Sequence, residues 1–155
     1  MGTARFRYAL EPVALQRQWA LDALLRELGD CNVALAQRRA ECDAVLAQLA
    51  QAGREWTAMG QPGQELLVER YALLSRYMAE RQRAAQALEQ ACAGLARQRD
   101  ELIDQVGAAQ RAVDAVDEHR GEMRREFVKA RLGGEFKDAD DQWSVLQTGK
   151  VTDDD

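Results

Sequence analysis

The chain has 155 residues, room for one domain, and is 46% hydrophobic, 30% charged and only 6% aromatic. Much of the hydrophobic share is Ala, and an Ala, Glu, Leu, Arg and Gln bias with few Gly and Pro favours long helices over a compact mixed core. The net charge of -5 argues against a nucleic-acid partner; the excess lies after Gly133, where Glu135, Asp138, Asp140, Asp141 and Asp153 to Asp155 outweigh Lys137 and Lys150.

In chain order, residues 1–11 read as an N-terminal extension in which Arg5 and Arg7 alternate with Phe6, Tyr8 and Leu10. A first helix is expected from about residue 12 to 57, since Pro12 is tolerated in a first turn where its missing N–H costs nothing. Along it Leu21, Leu24, Leu28, Cys31, Leu35, Arg38, Cys42, Val45, Leu49, Ala52 and Trp56 recur at steps of three and four, with Arg38 the one violation. Gly60, Pro62 and Gly63 mark a turn at about 58–63, the one strong break in the pattern.

The second helix is expected from about 64 to 132, ended by Gly133 and Gly134. Its stripe runs Leu67, Tyr71, Leu74, Met78, Arg81, Ala85, Leu88, Cys92, Leu95, Arg99, Leu102, Val106, Ala109, Val113, Val116, Arg120, Met123 and Phe127. An average spacing of 3.5 held over so many turns is a heptad signature, because such a seam drifts off a straight helix unless two helices supercoil. The expected fold is all-α: a long two-helix antiparallel coiled-coil hairpin over residues 12–132, with a disordered acidic tail over 133–155.

An antiparallel register in which partner numbers sum to 123 pairs Trp56 with Leu67, Ala52 with Tyr71, Leu49 with Leu74 and Cys31 with Cys92. A register seven higher would strand Leu67 and Tyr71 in the loop. The seam arginines are expected to pack their stems and to send their guanidinium groups out to flanking acids, or else to leave thin layers that make a flexible stalk. In the 123 register the stripe from Val113 to Phe127 outruns the first helix. Either it is an open docking surface ringed by Arg120, Arg124, Arg125, Lys129 and Arg131, or it is covered by Phe6, Tyr8 and Leu10, or by Trp143 and Leu146.

No catalytic set stands out. His119 is the single histidine, Cys31, Cys42 and Cys92 have no metal or redox spacing, and the Asp138 cluster lacks the glycine and glutamate of a calcium loop. The stretch ending at Lys150 lacks the first glycine and the final Ser or Thr of a phosphate-binding loop. The expectation is therefore no enzyme, no cofactor and no metal. With no apolar run of membrane-spanning length and no leader-like start, a cytoplasmic location is expected.

The stretch RFRYALEPVALQRQ, Arg5 to Gln18, opening a charged two-helix chain of this length, resembles the FliJ family of flagellar export proteins and their injectisome counterparts, the YscO or SctO proteins. The resemblance is specific over residues 5–18 and architectural for the remainder. It implies a monomeric stalk that resembles the γ subunit of rotary ATPases. Its terminal end would insert into a hexameric secretion ATPase, and another part would contact an export gate protein in the inner membrane and receive export chaperones. Membrane association would then run only through partners. On this reading Arg5, Arg7, Arg120, Met123, Arg124, Arg125, Phe127, Lys129 and Arg131 would bind the ATPase. A reading from another class is a cytoplasmic export chaperone or coiled-coil scaffold that binds secretion substrates. A third is a homodimeric coiled coil unrelated to secretion.

Overall fold

The structure is a computed structural model that describes residues 5–150, with side chains through residue 147. Two helices make up nearly all of it, α1 over Glu11–Met59 and α2 over Val68–Lys150, and no strand occurs among the described residues. The chain is all-α, and α1 and α2 pack against each other in antiparallel sense in each of its two compact units, Asp22–Gly107 and Met1–Leu21 with Ala108–Asp155.

α1 begins where the Glu11 amide donates to the Tyr8 carbonyl (3.2 Å) and the Ala14 amide to that of Leu10 (3.0 Å). Pro12 follows at once, where its lack of an N–H breaks no helical bond, and the Glu11 carboxylate sits at the positive end of the helix dipole. The helix leaves through amide bonds from Gly60 to Thr57 and from Gln61 to Ala58. The chain then turns at Gly63, whose φ of 90° is open to glycine at little cost. α1 thus runs two residues beyond its expected end, and α2 starts four residues after its expected start. The connector is 60–67 rather than 58–63, and Leu67 lies in it, more than half exposed.

In the unit Asp22–Gly107 the seam is the one the spacing picks out. Cys31, Leu35, Cys42 and Ala52 from α1 and Ala85 and Leu102 from α2 are buried, and every other stripe position there is half-buried except Arg38 and Leu67. The register differs from the expected one. Trp56 stacks on Tyr71, ring centroids 3.7 Å apart, instead of facing Leu67. The Cys31 thiol donates to the Leu95 carbonyl at 3.5 Å, and Arg81 Nη1 donates to Gln48 Oε1 at 3.4 Å. These partner numbers sum to 127, 126 and 129, so each residue meets the other helix three to six residues further along than a sum of 123 would place it. The reason lies in the bend. Half-buried Met59 extends α1 by one seam position, the connector absorbs Leu67, and Tyr71 keeps its cover by stacking on Trp56.

Cys42 lies within the electrostatic reach of Cys92. Burial pushes the Cys42 thiol above its ordinary pKa, and the charges of Glu89, Cys92 and Asp43 push it the same way. All three cysteines are free.

The seam arginines behave largely as long amphipathic side chains should. Arg38 reaches out to Glu41 (2.7 Å), Arg99 to Asp100 (3.1 Å) and Arg120 to Glu11 (2.9 Å). Arg81 finds no acid: it donates to Gln48, lies 5.7 Å from the centre of the Tyr77 ring, and keeps a buried Nε without a partner. Exposed ion pairs of this kind stabilise by about 0–1 kcal/mol each. They make tolerated layers rather than strong ones.

In the other unit Leu21, Val113 and Val116 are buried. α2 does not stop at Leu132 but passes through Gly133 and Gly134 to Lys150, so the flexible tail expected over 133–155 is helical as far as the description goes. Two glycines cost a helix about 1 kcal/mol each relative to Ala, no proline follows them, and Ala130, Arg131, Leu132, Glu135 and Lys137 on either side favour helix. Asp153 to Asp155 lie outside the described residues.

Candidate partner-binding surface

The candidate surface lies in the unit that joins the N-terminal segment to the second half of α2. Residues 5–8 have no regular structure, yet their side chains alternate: Phe6 and Tyr8 are half-buried, Arg5 and Arg7 exposed. Phe6 packs on Phe127 with ring centroids 5.6 Å apart and planes tilted by 54°. The Tyr8 hydroxyl lies 2.8 Å from His119 Nδ1 and 3.5 Å from the Val116 carbonyl, to which it donates. Arg120 closes the cluster, its guanidinium 5.3 Å from the centre of the Tyr8 ring while Nη2 bonds Glu11 and Nη1 stands 3.8 Å from Asp117. Nearly two turns into α1, Arg17 Nη1 donates to the Ala112 carbonyl at 3.0 Å.

Of the coverings weighed for the seam, it is therefore the N-terminal segment that lies on it. Trp143 and Leu146 are exposed, 63% and 68%, and do not supply it. His119, the single histidine of the chain, is exposed and takes part in the Tyr8 contact.

The nine residues proposed from the sequence fall into two groups. Arg120, Met123 and Phe127 are half-buried, and two of them hold the N-terminal segment in place. Arg5, Arg7, Arg124, Arg125, Lys129 and Arg131 are exposed, with Arg131 paired to Glu135 at 3.0 Å. Arg124, Arg125 and Lys129 come together around an open groove of about 560 Å³ that also involves Val128, Leu132 and Phe136. Gly121 forms one end of it, and the Arg125 guanidinium lies 4.0 Å from where a Cβ on that glycine would stand. Basic heads around an apolar floor can take a partner carrying acids beside exposed hydrophobic side chains.

Val128, Leu132 and Phe136 are absent from the sequence-derived set. Their signal was there in the spacing of four, but a helix ended at Leu132 hides it.

Among the described residues no cluster of three or more His, Cys, Asp or Glu side chains could hold a metal ion, and no helix is long and apolar enough to cross a membrane. No family model, no curated protein and no solved structure matches this chain.

Proposed function

We propose that this chain is a non-enzymatic central stalk of a type III secretion or flagellar export apparatus, coupling the export ATPase ring to the export gate at the cytoplasmic face of the inner membrane. The support is the resemblance of Arg5 to Gln18 to the FliJ and SctO proteins, together with what those residues do. Phe6, Tyr8 and Glu11 fasten the N-terminal segment to Phe127, His119 and Arg120, while Arg5 and Arg7 stay in solvent. The stretch that carries the resemblance thus builds the end where both N-terminal segment and α2 meet, and it leaves a basic exterior there. Such an end suits an acidic ring pore, where electrostatics steer entry and orientation.

The test is stimulation of, and co-sedimentation with, the purified export ATPase hexamer from the same organism at two salt concentrations. Replacing Arg124, Arg125 and Lys129 with Glu should abolish both effects while leaving helicity unchanged, because these side chains are exposed and off the seam. Binding by the unmodified chain should weaken as salt rises. If the unmodified chain neither binds nor stimulates, the stalk reading is lost; a stoichiometric complex with a secreted subunit would put the chaperone or scaffold reading in its place.

A further inference from the structure

Beyond Phe127 the apolar count on α2 slips. Continuing the hairpin seam by three or four residues leads to Ala130 or Arg131, whereas Val128 stands beside the seam and the apolar residues that follow it are Leu132, five beyond Phe127, and then Phe136, Ala139, Trp143 and Leu146 at steps of four, three, four and three. A step of five turns a helix by about 500°, so the second stripe lies on a different face from the seam that meets α1. It is exposed: Leu132 by about half, Phe136 by 74%, and Trp143 and Leu146 by about two thirds. It cannot be completed by α1, whose contacts are on the other stripe.

We infer that this stripe is a self-association site, taking the same stripe of a second copy of this chain as an antiparallel two-helix seam. The spacing itself names the occupant. In heptad terms Phe136 and Trp143 take one core position, and Leu132, Ala139 and Leu146 the other, which is the alternation an antiparallel pair needs. With partner numbers summing to 275, Phe136 faces Ala139 of the second copy and Trp143 faces its Leu132. Each pair then occurs twice about a two-fold axis, and large meets small at the centre. An isologous contact demands this self-complementarity, and an arbitrary apolar face does not supply it. The third pair, at the two ends, sets the Lys129 stem against Leu146, with the ammonium free to reach water.

Two further features fit. Gly133 and Gly134 fall on the flank and back of this register, outside its core, so the positions that would weaken the packing are not in it. Glu135 faces Gln142 across the flank, so no like charges oppose each other there. Aromatic side chains bury about 150–250 Å² each, so two copies of Phe136 and Trp143 supply roughly 600 Å². The leucines and Ala139 bring the total to the order of 1,000 Å², the lower bound of a specific and reversible interface. The contact is therefore concentration-dependent, in contrast to an obligate coiled-coil dimer, and it does not rest on the stalk reading.

Sedimentation velocity of the full chain from about 1 to 300 μM tests it. The expected result is 17.3 kDa at the low end and twice that at the high end, with the chain carrying Phe136→Asp and Trp143→Asp remaining monomeric throughout. Orientation is read separately in a background with Cys31, Cys42 and Cys92 replaced by Ala. Oxidising a mixture of Phe136→Cys and Ala139→Cys chains should give mainly the mixed disulfide, whereas a parallel pair would give each chain cross-linked to itself. A monomer at 300 μM, a dimer that survives both aspartates, or a predominance of self-linked product would overturn the proposal.

Discussion

Replacing Phe6 with Ala probes whether side-chain packing holds the N-terminal segment on α2. The ring is half-buried, so its removal forfeits about half of the ~1.5–3 kcal/mol that full burial of a Phe is worth, or about 1 kcal/mol. The tilted pair with Phe127, 5.6 Å between centroids, adds roughly 0.5–1.5 kcal/mol. The sum, about 2 kcal/mol, acts on a segment that can open by itself, so it should appear as local opening rather than as global unfolding. At 1.4 kcal/mol per factor of ten, the open fraction should rise about 30-fold. Native-state amide hydrogen exchange reads this directly at Glu11 and Ala14, whose amides bond to the Tyr8 and Leu10 carbonyls. Their exchange should quicken by that factor while amides near Leu35 and Ala85, in the other unit, stay unchanged. Unchanged exchange at Glu11 would show that the aromatic contact does not hold the segment. Equal acceleration everywhere would show that no separate local opening exists.

Other outcomes follow from the bend and the seam. In a cysteine-free background, a short bismaleimide should link Gln48→Cys to Arg81→Cys within one chain and do so faster than it links Gln48→Cys to Ser75→Cys, the pair a sum of 123 would bring together; the reverse order would restore the sequence-derived register. Gly63→Ala should lower stability by about 1–2 kcal/mol because of its left-handed backbone, whereas Gly29→Ala and Gly53→Ala, where an added Cβ meets nothing within 4 Å, should each raise it by up to about 1 kcal/mol. Denaturant midpoints distinguish the two signs. The Cys42 thiol has a folded pKa above the 9.0 of the free side chain, so the unfolded chain loses its proton first as pH rises. Its contribution to stability is therefore complete below about pH 9 and is lost above it. Cys42→Ala should flatten that part of the stability profile, and a profile unaltered by the substitution would contradict the assignment.

The sequence alone determined the fold class and the seam, because both rest on local periodicity. From Leu21 to Phe127 every stripe position is buried or half-buried save Arg38 and Leu67, and each exception has a local cause: a guanidinium paired with Glu41, and a residue drawn into the connector. The charged ends of the seam arginines were legible for the same reason, since stem length and charge are properties of a single side chain. Tertiary structure decided what depends on distant residues meeting. A seam of leucines, alanines and cysteines packs comparably well after a slide along the partner helix, so only the bend at Gly60 to Leu67 could choose the register that puts Trp56 on Tyr71. The cover over Val116 and Phe127 comes from Tyr8 and Phe6, more than a hundred residues away, and no periodicity relates an irregular segment to a helix face. The passage of α2 through Gly133 and Gly134 was the closest decision, a matter of about 2 kcal/mol that the good helix formers on either side outweigh. With that helix continued, Leu132, Phe136, Trp143 and Leu146 become one face instead of scattered residues of a tail.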